Sequence, residues 1–284
     1  MNATLPPGTA KITVPLLQQK KSEQQRITCL TAYDTLFARI LDEAGIDLVL
    51  VGDSLGMTRL GYANTLPVTM EEMLIHLKAV RRGVQRALLV ADMPYGSYHA
   101  SLKTAVENAL RFVKEGGAEA VKIEGGRKRG RLVERLTAAE IPVMGHIGLT
   151  PQSIHAMGGF KVQGRNREAA EMILEDALLL QEAGVFALVL EGIPREVAAR
   201  ITGELTVPTI GIGAGPECDG QILVIDDLLG LTIGPKPKFV RQYLDLNREI
   251  AEAVRAYIRD CLEGRFPDDN ESYQLPKSLS SLVC

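Results

Sequence analysis

The order of apolar segments along the chain predicts a closed (β/α)8 barrel, a TIM barrel, in a single catalytic domain. Eight short apolar runs of four to six residues alternate with segments that have helical periodicity. Such alternation indicates parallel strands joined by helices that pack outside them. The 284 residues suit one barrel of roughly 250 residues. Eight repeated units favour the closed barrel over its alternative, an open doubly wound sheet.

The eight predicted strands are apolar on both faces, as expected for strands buried between a packed interior and a layer of helices. They span residues 27–32, 48–51, 88–91, 120–123, 142–145, 187–190, 208–212 and 222–225. The second strand ends at a glycine that is followed by Asp53. Because side chains alternate along a strand, we expect Val49, Val51 and Asp53 to share one face.

Helical segments follow the strands. The helix over 102–113 has the clearest pattern, since apolar residues recur every three or four positions and a Gly-Gly pair ends it. Another helix begins at Thr69, where the sequence TMEE forms a capping box. Further helices are predicted after the first strand, from 150, and over 127–139, 167–183, 194–203 and 240–262.

The barrel is predicted to occupy residues 26–266, between a lead-in at 1–25 and a polar, disordered tail at 267–284. Within the lead-in, Thr13 and Pro15 indicate the start of a short helix. The following KKSEQQ segment at 20–25 is expected to be solvated.

Composition excludes several classes of protein. The net charge is −3 and acids and bases are interspersed, which argues against partners such as nucleic acid or a membrane surface. No apolar stretch approaches the roughly 20 residues of a spanning helix, and the first residues do not form a secretory signal. The four cysteines are scattered without a CxxC pair, which predicts a reducing, cytoplasmic location and no structural zinc.

Several predicted strands end in a residue that can take part in chemistry. In a barrel these ends meet on the C-terminal rim, where such enzymes have their active sites. The residues are Asp53, Asp92, Glu124, His146, Glu191 and Asp226. Acids after strands also serve as helix N-caps, and this is our interpretation of Asp226 and, in part, of Asp34. The other four acids precede loop sequences, so we predict a functional role for them.

Asp53, Asp92 and Glu124 follow the second, third and fourth strands, which are neighbours in the barrel. Carboxylates that converge repel one another, and some become protonated unless a cation lies between them. Oxygen ligands without cysteine favour Mg²⁺. The sequence therefore predicts a magnesium site, and it leaves open which acids bind the ion directly and which through water.

Lys122 precedes Glu124 by two residues, so both side chains point the same way. A buried lysine needs an anionic partner, either a neighbouring acid or the carboxylate of a substrate; we favour the substrate, because the acids would already share the metal. His146 is either structural or a supporting residue of the site. The glycine-rich run at 211–215 indicates either a phosphate cradle or a close approach of the backbone.

Nine segments together resemble the ketopantoate hydroxymethyltransferase (3-methyl-2-oxobutanoate hydroxymethyltransferase) family. They are LTAYD at 30–34, VGDSLGM at 51–57, TLPV at 65–68, DMPYGSY at 92–98, VKIEGG at 121–126, GHIGLTPQS at 145–153, GGFKVQGR at 158–165, LEGIP at 190–194 and GIGAGPECDGQILV at 211–224. Each segment is short, but their order over about residues 12–267 makes the set very specific. Tyr62 stands where some members have His, and the lead-in and the tail after Pro267 are not shared.

The resemblance implies a Mg²⁺-dependent barrel enzyme of pantothenate biosynthesis that binds one ion per subunit. It implies that a hydroxymethyl group passes from 5,10-methylenetetrahydrofolate to 3-methyl-2-oxobutanoate through a Mg-stabilised enolate, giving 2-dehydropantoate and tetrahydrofolate. It also implies a homo-oligomer, often a decamer.

Carried over by motif, the family's functional residues coincide with the rim residues chosen above. Its metal ligands fall on Asp53, Asp92 and Glu124. Its substrate contacts fall on Asp53, Ser54, Asp92 and Lys122, and its proton acceptor on Glu191. Two rival interpretations are a Mg²⁺-dependent lyase that cleaves C–C or P–C bonds on a related barrel, and a barrel that has lost catalysis.

Overall fold

Eight parallel strands form a closed barrel in the order β1 to β8, which confirms the predicted (β/α)8 fold. The computed structural model describes residues 10–234 and 236–276. The strands are β1 Ile27–Thr31, β2 Leu48–Val51, β3 Leu88–Asp92, β4 Ala120–Glu124, β5 Val143–Gly148, β6 Ala187–Glu191, β7 Thr209–Ile212 and β8 Gly220–Leu223.

One helix precedes the first strand, helices follow every strand except β7, and the set includes each predicted helix. They are α1 Val14–Ser22, α2 Thr35–Glu43, α3 Leu55–Thr58, α4 Met70–Gly83, α5 Leu102–Lys114, α6 Gly130–Thr137, α7 Ile154–Met157, α8 Arg167–Ala183, α9 Arg195–Glu204, α10 Ile225–Leu229 and α11 Leu246–Leu262. Thr69 caps α4 in the predicted capping box with Glu72. The final helix starts at Leu246 rather than at 240, and none of its residues is buried.

Strand β8 begins two residues earlier than the sequence predicts, at Gly220 instead of 222. The reason is its register, because Gly220 lies opposite Ile27 of β1 and Ile210 of β7. A Cβ atom on Gly220 would lie 2.6 Å from the carbonyl oxygen of Ile27. Glycine therefore permits a close approach of three strands, and the apolar pattern alone does not show it.

The side chains of β2 divide between two layers of the core. Leu48 and Leu50 belong to the cluster inside the barrel, whereas Val49 and Val51 pack against the surrounding helices. The prediction that Val49, Val51 and Asp53 share one face is therefore wrong. The strand ends at Val51, and Asp53 reaches the rim from the turn that follows.

Helix α1 covers the N-terminal end of the barrel. Leu17 is completely buried and belongs to the cluster inside the barrel. Lys20 and Lys21 form ion pairs of 2.7 Å with Asp47 and Asp219. The short helix is confirmed, but the two lysines of the KKSEQQ segment are largely buried rather than solvated, since α1 docks on the strand ends.

The predicted division into lead-in, barrel and tail stays a prediction. Residues 1–9 of the lead-in and 277–284 of the tail lie outside the described residues, and 267–276 contain neither helix nor strand. Within the described ranges, no helix combines the length and the apolar character needed to cross a bilayer.

Removing the Leu17 side chain tests whether α1 stabilises the barrel. We expect Leu17→Ala to lower the free energy of unfolding by about 2–5 kcal/mol, because it leaves a cavity in the core. Leu36→Ala is the control, since Leu36 is 72% exposed and should change stability by less than about 0.5 kcal/mol. Equilibrium unfolding in urea measures both, and equal effects would show that α1 contributes little.

Candidate active site

A cavity of about 1240 Å³ opens at the C-terminal rim of the barrel. All the residues predicted for the site line it: Asp53, Ser54, Asp92, Lys122, Glu124, His146 and Glu191. These residues come from five different strand ends, and the barrel brings them together as the sequence predicts.

The register of the strands places the charged residues side by side. Asp92 of β3 lies opposite Lys122 of β4, and Glu124 of β4 lies opposite His146 of β5. Glu191 is the last residue of β6. Along β4, alternation places Lys122 and Glu124 on the inner face, in line with Ala120 inside the barrel. The backbone therefore directs these side chains into the cavity.

The three predicted metal ligands lie close together and are almost completely buried. Asp53, Asp92 and Glu124 each offer a carboxylate oxygen within 4.8 Å of those of the other two. Their exposed fractions are only 2–4%. Burial, together with the neighbouring carboxylates, raises the pKa of Asp53 and Asp92. This cluster is the arrangement of hard oxygen ligands that a divalent cation stabilises.

Lys122 is the cation nearest to this cluster. Its Nζ lies 2.8 Å from Asp92 Oδ1 and 3.3 Å from Glu124 Oε1. Burial disfavours the ammonium form, but the carboxylates outweigh burial and raise the pKa of Lys122. For Glu124, burial is likewise outweighed by Lys122 and His146, which lower its pKa. These contacts match the salt-bridge interpretation of Lys122, and a contact with a substrate carboxylate remains a proposal.

His146 connects Glu191 to the acidic cluster. Its Nδ1 lies 3.3 Å from Glu124 Oε1, and its Nε2 lies 3.2 Å from Glu191 Oε2. The second contact lacks the alignment of a hydrogen bond, so we regard it as an ion-pair contact. Burial and Lys122 oppose protonation of His146, but the carboxylates of Glu124 and Glu191 outweigh them and raise its pKa to about 9. Glu191 itself is not one of the three clustered acids.

Ser54 lies at the start of α3, directly after Asp53. Its Oγ is 2.8 Å from the hydroxyl of Tyr33. Burial raises the pKa of Tyr33 to about 12, so Tyr33 keeps its proton at neutral pH. With Tyr33 as donor, the Ser54 hydroxyl is free to donate a hydrogen bond into the cavity.

Asp226 has a different role from the predicted helix cap. The N-cap of α10 is Val224, and no side chain caps this helix. The Asp226 carboxylate instead forms an ion pair with Arg59, whose guanidinium lies 5.1 Å from the ring centre of Tyr33. The N-cap prediction is wrong for Asp226. The N-cap prediction is confirmed for Asp34, since its carboxylate accepts hydrogen bonds from two backbone N–H groups in the first turn of α2.

The glycine-rich run after β7 is closely surrounded by other groups. A Cβ atom on Gly213 would lie 2.7 Å from the ring of Phe239, and one on Gly211 would lie 3.0 Å from Cys218 Sγ. Gly213 also has a φ of +61°, which favours glycine. The geometry supports the close-approach interpretation of this run.

Two residues near the acids, Gln152 and Tyr98, received no role from the sequence, although both lie in segments that carry the family resemblance. Gln152 Nε2 lies 2.9 Å from Asp53 Oδ2, and the hydroxyl of Tyr98 lies 2.5 Å from Gln152 Oε1. Gln152 is 99 positions from Asp53 along the chain. The sequence Thr-Pro-Gln-Ser, in which Gln152 lies, has the pattern of an ordinary helix start. Only the folded chain therefore reveals the contact between Gln152 and Asp53.

The closed barrel places the protein in the broad class of (β/α)8 barrels, and solved structures share this fold. Phosphonopyruvate hydrolase in complex with oxalate and Mg²⁺ aligns with a TM-score of 0.59 at 13% identity, covering 94% of this chain and 93% of that one. 2,3-Dimethylmalate lyase, a PEP mutase/isocitrate lyase superfamily member, aligns with a TM-score of 0.59 at 17% identity, covering 94% and 92%. At these identities the likeness establishes the fold alone.

Sequence comparison narrows the class to one family. The family model for ketopantoate hydroxymethyltransferase matches residues 11–269. A 3-methyl-2-oxobutanoate hydroxymethyltransferase of Koribacter versatilis (strain Ellin345) is 61% identical over 96% of this chain and 93% of its own length. One of Thermoanaerobacter sp. (strain X514) is 54% identical over 94% and 97%. The chain belongs to the ketopantoate hydroxymethyltransferase family, which confirms the resemblance.

Thermal unfolding with and without Mg²⁺ tests the predicted metal site. A ligand that binds only the folded state at 100 times its dissociation constant stabilises a protein by about 2.7 kcal/mol. We expect millimolar Mg²⁺ to raise the unfolding temperature of the wild type and to have little effect on Asp92→Asn. Asp227→Asn is the control, since Asp227 also lines the cavity but lies outside the cluster. An equal response in Asp92→Asn would exclude this metal site.

Proposed function

We propose that the protein transfers a hydroxymethyl group from 5,10-methylenetetrahydrofolate to 3-methyl-2-oxobutanoate. One water is consumed, and the products are 2-dehydropantoate and tetrahydrofolate. The observation that carries the proposal is the site itself. The chain belongs to this family, and one cavity is lined by the three clustered acids, Lys122 and the His146–Glu191 pair. These are the groups required to bind a 2-oxo acid and to remove a proton from it.

The residues present fit a divalent cation. Three buried carboxylates lie beside the ammonium of Lys122, and buried Asp92 Oδ1 has no well-aligned hydrogen-bond partner among the described residues. We therefore assign Asp53, Asp92 and Glu124 as the residues that hold Mg²⁺, directly or through water. When bound, Mg²⁺ would act as a Lewis acid on the oxo group and so increase the acidity of the adjacent C–H bond.

Lys122 and Ser54 are proposed to bind the carboxylate of the oxo acid. Lys122 is held in its charged form by its acidic neighbours, so it offers a fixed positive charge at the inner wall of the cavity. Ser54 offers a hydroxyl next to Asp53. A charge and a hydrogen bond from two strand ends would fix the orientation of the substrate before the proton is removed.

Glu191 is the proposed base. It lies outside the three-acid cluster, which leaves its carboxylate available to accept the C3 proton of the oxo acid. Its contact with His146 Nε2 orients the carboxylate. The electron pair of the broken C–H bond then forms the new C–C bond to the one-carbon unit. Both C–N bonds that held this carbon in the folate break, and water supplies the hydroxyl oxygen. The C3 proton, passed from Glu191 through solvent, and one proton of that water replace the carbon on the two nitrogens of tetrahydrofolate.

The size and lining of the cavity agree with a second, larger substrate. Its volume of about 1240 Å³ exceeds the roughly 300–1,000 Å³ of most ligand pockets. Large apolar side chains that are partly exposed line its wall, and they include Met57, Phe160 and Val162. An aromatic body such as that of a folate would bury these side chains. A cytoplasmic location and assembly into a homo-oligomer, such as a decamer, complete the proposal.

A direct assay tests this function. Purified protein should consume 3-methyl-2-oxobutanoate only when both 5,10-methylenetetrahydrofolate and a divalent cation are present, with one tetrahydrofolate formed per product. Chelation with EDTA should stop turnover, and added Mg²⁺ should restore it. Turnover that does not depend on the folate would contradict the proposal and would favour the lyase interpretation.

Replacing Glu191 tests the assignment of the base. We expect Glu191→Gln to slow exchange of the C3 hydrogen of 3-methyl-2-oxobutanoate in D₂O, without folate, by about 10²–10⁴-fold, because the amide cannot accept the proton. Glu196→Gln is the matched control, since Glu196 is exposed in the first turn of α9 and should exchange normally. Wild-type exchange in Glu191→Gln, followed by NMR, would require another base.

A further inference from the structure

Gln152 occupies a buried position between two of the three clustered acids. It lies in a single 3-10 turn, Pro151–Ser153, that follows β5 on the rim, and it is 4% exposed. Its side-chain Nε2 donates a hydrogen bond of 2.9 Å to Asp53 Oδ2. Its backbone N–H donates a hydrogen bond of 3.0 Å to Glu124 Oε2. One residue therefore contacts acids that come from two separate strands.

The orientation of the Gln152 amide is determined by its surroundings. The Tyr98 hydroxyl donates to Oε1 at 2.5 Å and accepts the backbone N–H of Glu124 at 3.1 Å. On the other side, Nε2 donates to the carbonyl oxygen of Met93 at 2.9 Å as well as to Asp53. A flipped amide would place its oxygen against a carbonyl and a carboxylate, and both are acceptors only.

A hydrogen bond to one oxygen of a carboxylate fixes the position of the other oxygen. Gln152 engages Oδ2 of Asp53 and Oε2 of Glu124. The remaining oxygen of Glu124 faces Lys122 and His146. Gln152 also supplies N–H donors without adding charge, whereas a lysine at this position would compete with a cation for the same carboxylates. A glutamate would add a fourth negative charge.

We infer that Gln152 is a positioning residue for the cation-binding acids. It holds Asp53 and Glu124 in the orientation in which both present an oxygen to one divalent ion, and Tyr98 keeps its amide in the required direction. Hydrogen bonds to ligating groups of this kind affect metal affinity by about 10–100-fold. The inference rests on the metal site of the proposed function and adds to it a residue that does not touch the ion.

Mn²⁺ binding to the substrate-free protein, followed by EPR or calorimetry, tests the inference without any turnover. Gln152→Met keeps the length of the side chain and removes all three hydrogen bonds of its side-chain amide. We expect it to weaken Mn²⁺ binding by about 10–100-fold. Gln163→Met is the matched control, because Gln163 lies in a rim loop and its amide donates to the Lys161 carbonyl rather than to an acid of the cluster. The Mn²⁺ affinity of this variant should equal that of the wild type.

A second variant separates positioning from a general effect on stability. Tyr98→Phe removes the hydroxyl that orients the amide and leaves Gln152 in place. Tyr98→Phe should weaken Mn²⁺ binding by less than Gln152→Met does. The double variant, with both substitutions, should bind Mn²⁺ as tightly as Gln152→Met alone. If Gln152→Met does not fold, as judged by circular dichroism, Tyr98→Phe decides the question alone.

Unchanged Mn²⁺ affinity in a folded Gln152→Met, even with a lowered unfolding temperature, would overturn the inference. If only Tyr98→Phe folds, unchanged Mn²⁺ affinity in that variant would overturn the inference as well. Failure of the wild type to bind Mn²⁺ at this site would also overturn it. The proposed function is tested separately, because it fails only if the wild type does not form 2-dehydropantoate from the oxo acid and the folate.

Discussion

The repulsion among three buried carboxylates is the constraint on which the rest of the site depends. Asp53, Asp92 and Glu124 have oxygens within 4.8 Å of one another. Two unit charges at that distance repel by about 3–4 kcal/mol at an effective dielectric constant of about 20. Lys122 provides one compensating charge at 2.8 Å from Asp92. The cluster therefore attracts further positive charge, which is the basis of the proposed metal site. Glu124 of the cluster, together with Glu191 outside it, raises the pKa of His146.

The barrel makes such a cluster possible because its backbone is held independently of the charges. Parallel pairing fixes Asp92 beside Lys122 and Glu124 beside His146. The apolar side chains inside the barrel and the docked helix α1 exclude water from the N-terminal end of the barrel. Favourable packing throughout the barrel thus offsets the electrostatic cost of a few residues on one rim, which is where functional sites commonly depart from stable design.

The sequence predicted most elements closely, since their signals are local. Strand β2 and helix α8 have the predicted bounds, 48–51 and 167–183. Errors arose where a partner distant along the chain decides the outcome. Strand β8 is shifted because Gly220 packs against Ile27, and Asp226 pairs with Arg59 instead of capping its helix. Asp53 was assigned to the correct rim for an incorrect reason, because the turn after Val51, not alternation, directs it.

By itself the sequence determined the barrel, the acids on its rim and the family, because apolar periodicity, strand-end residues and ordered motifs are all written along the chain. Only the tertiary structure decided which groups surround each acid. Lys122 contacts two acids, His146 joins Glu191 to the cluster, and Gln152 links Asp53 to Glu124. Apart from the pair Lys122 and Glu124, these contacts join residues that are far apart in the chain. Their geometry follows from strand register and from turns that no local pattern encodes.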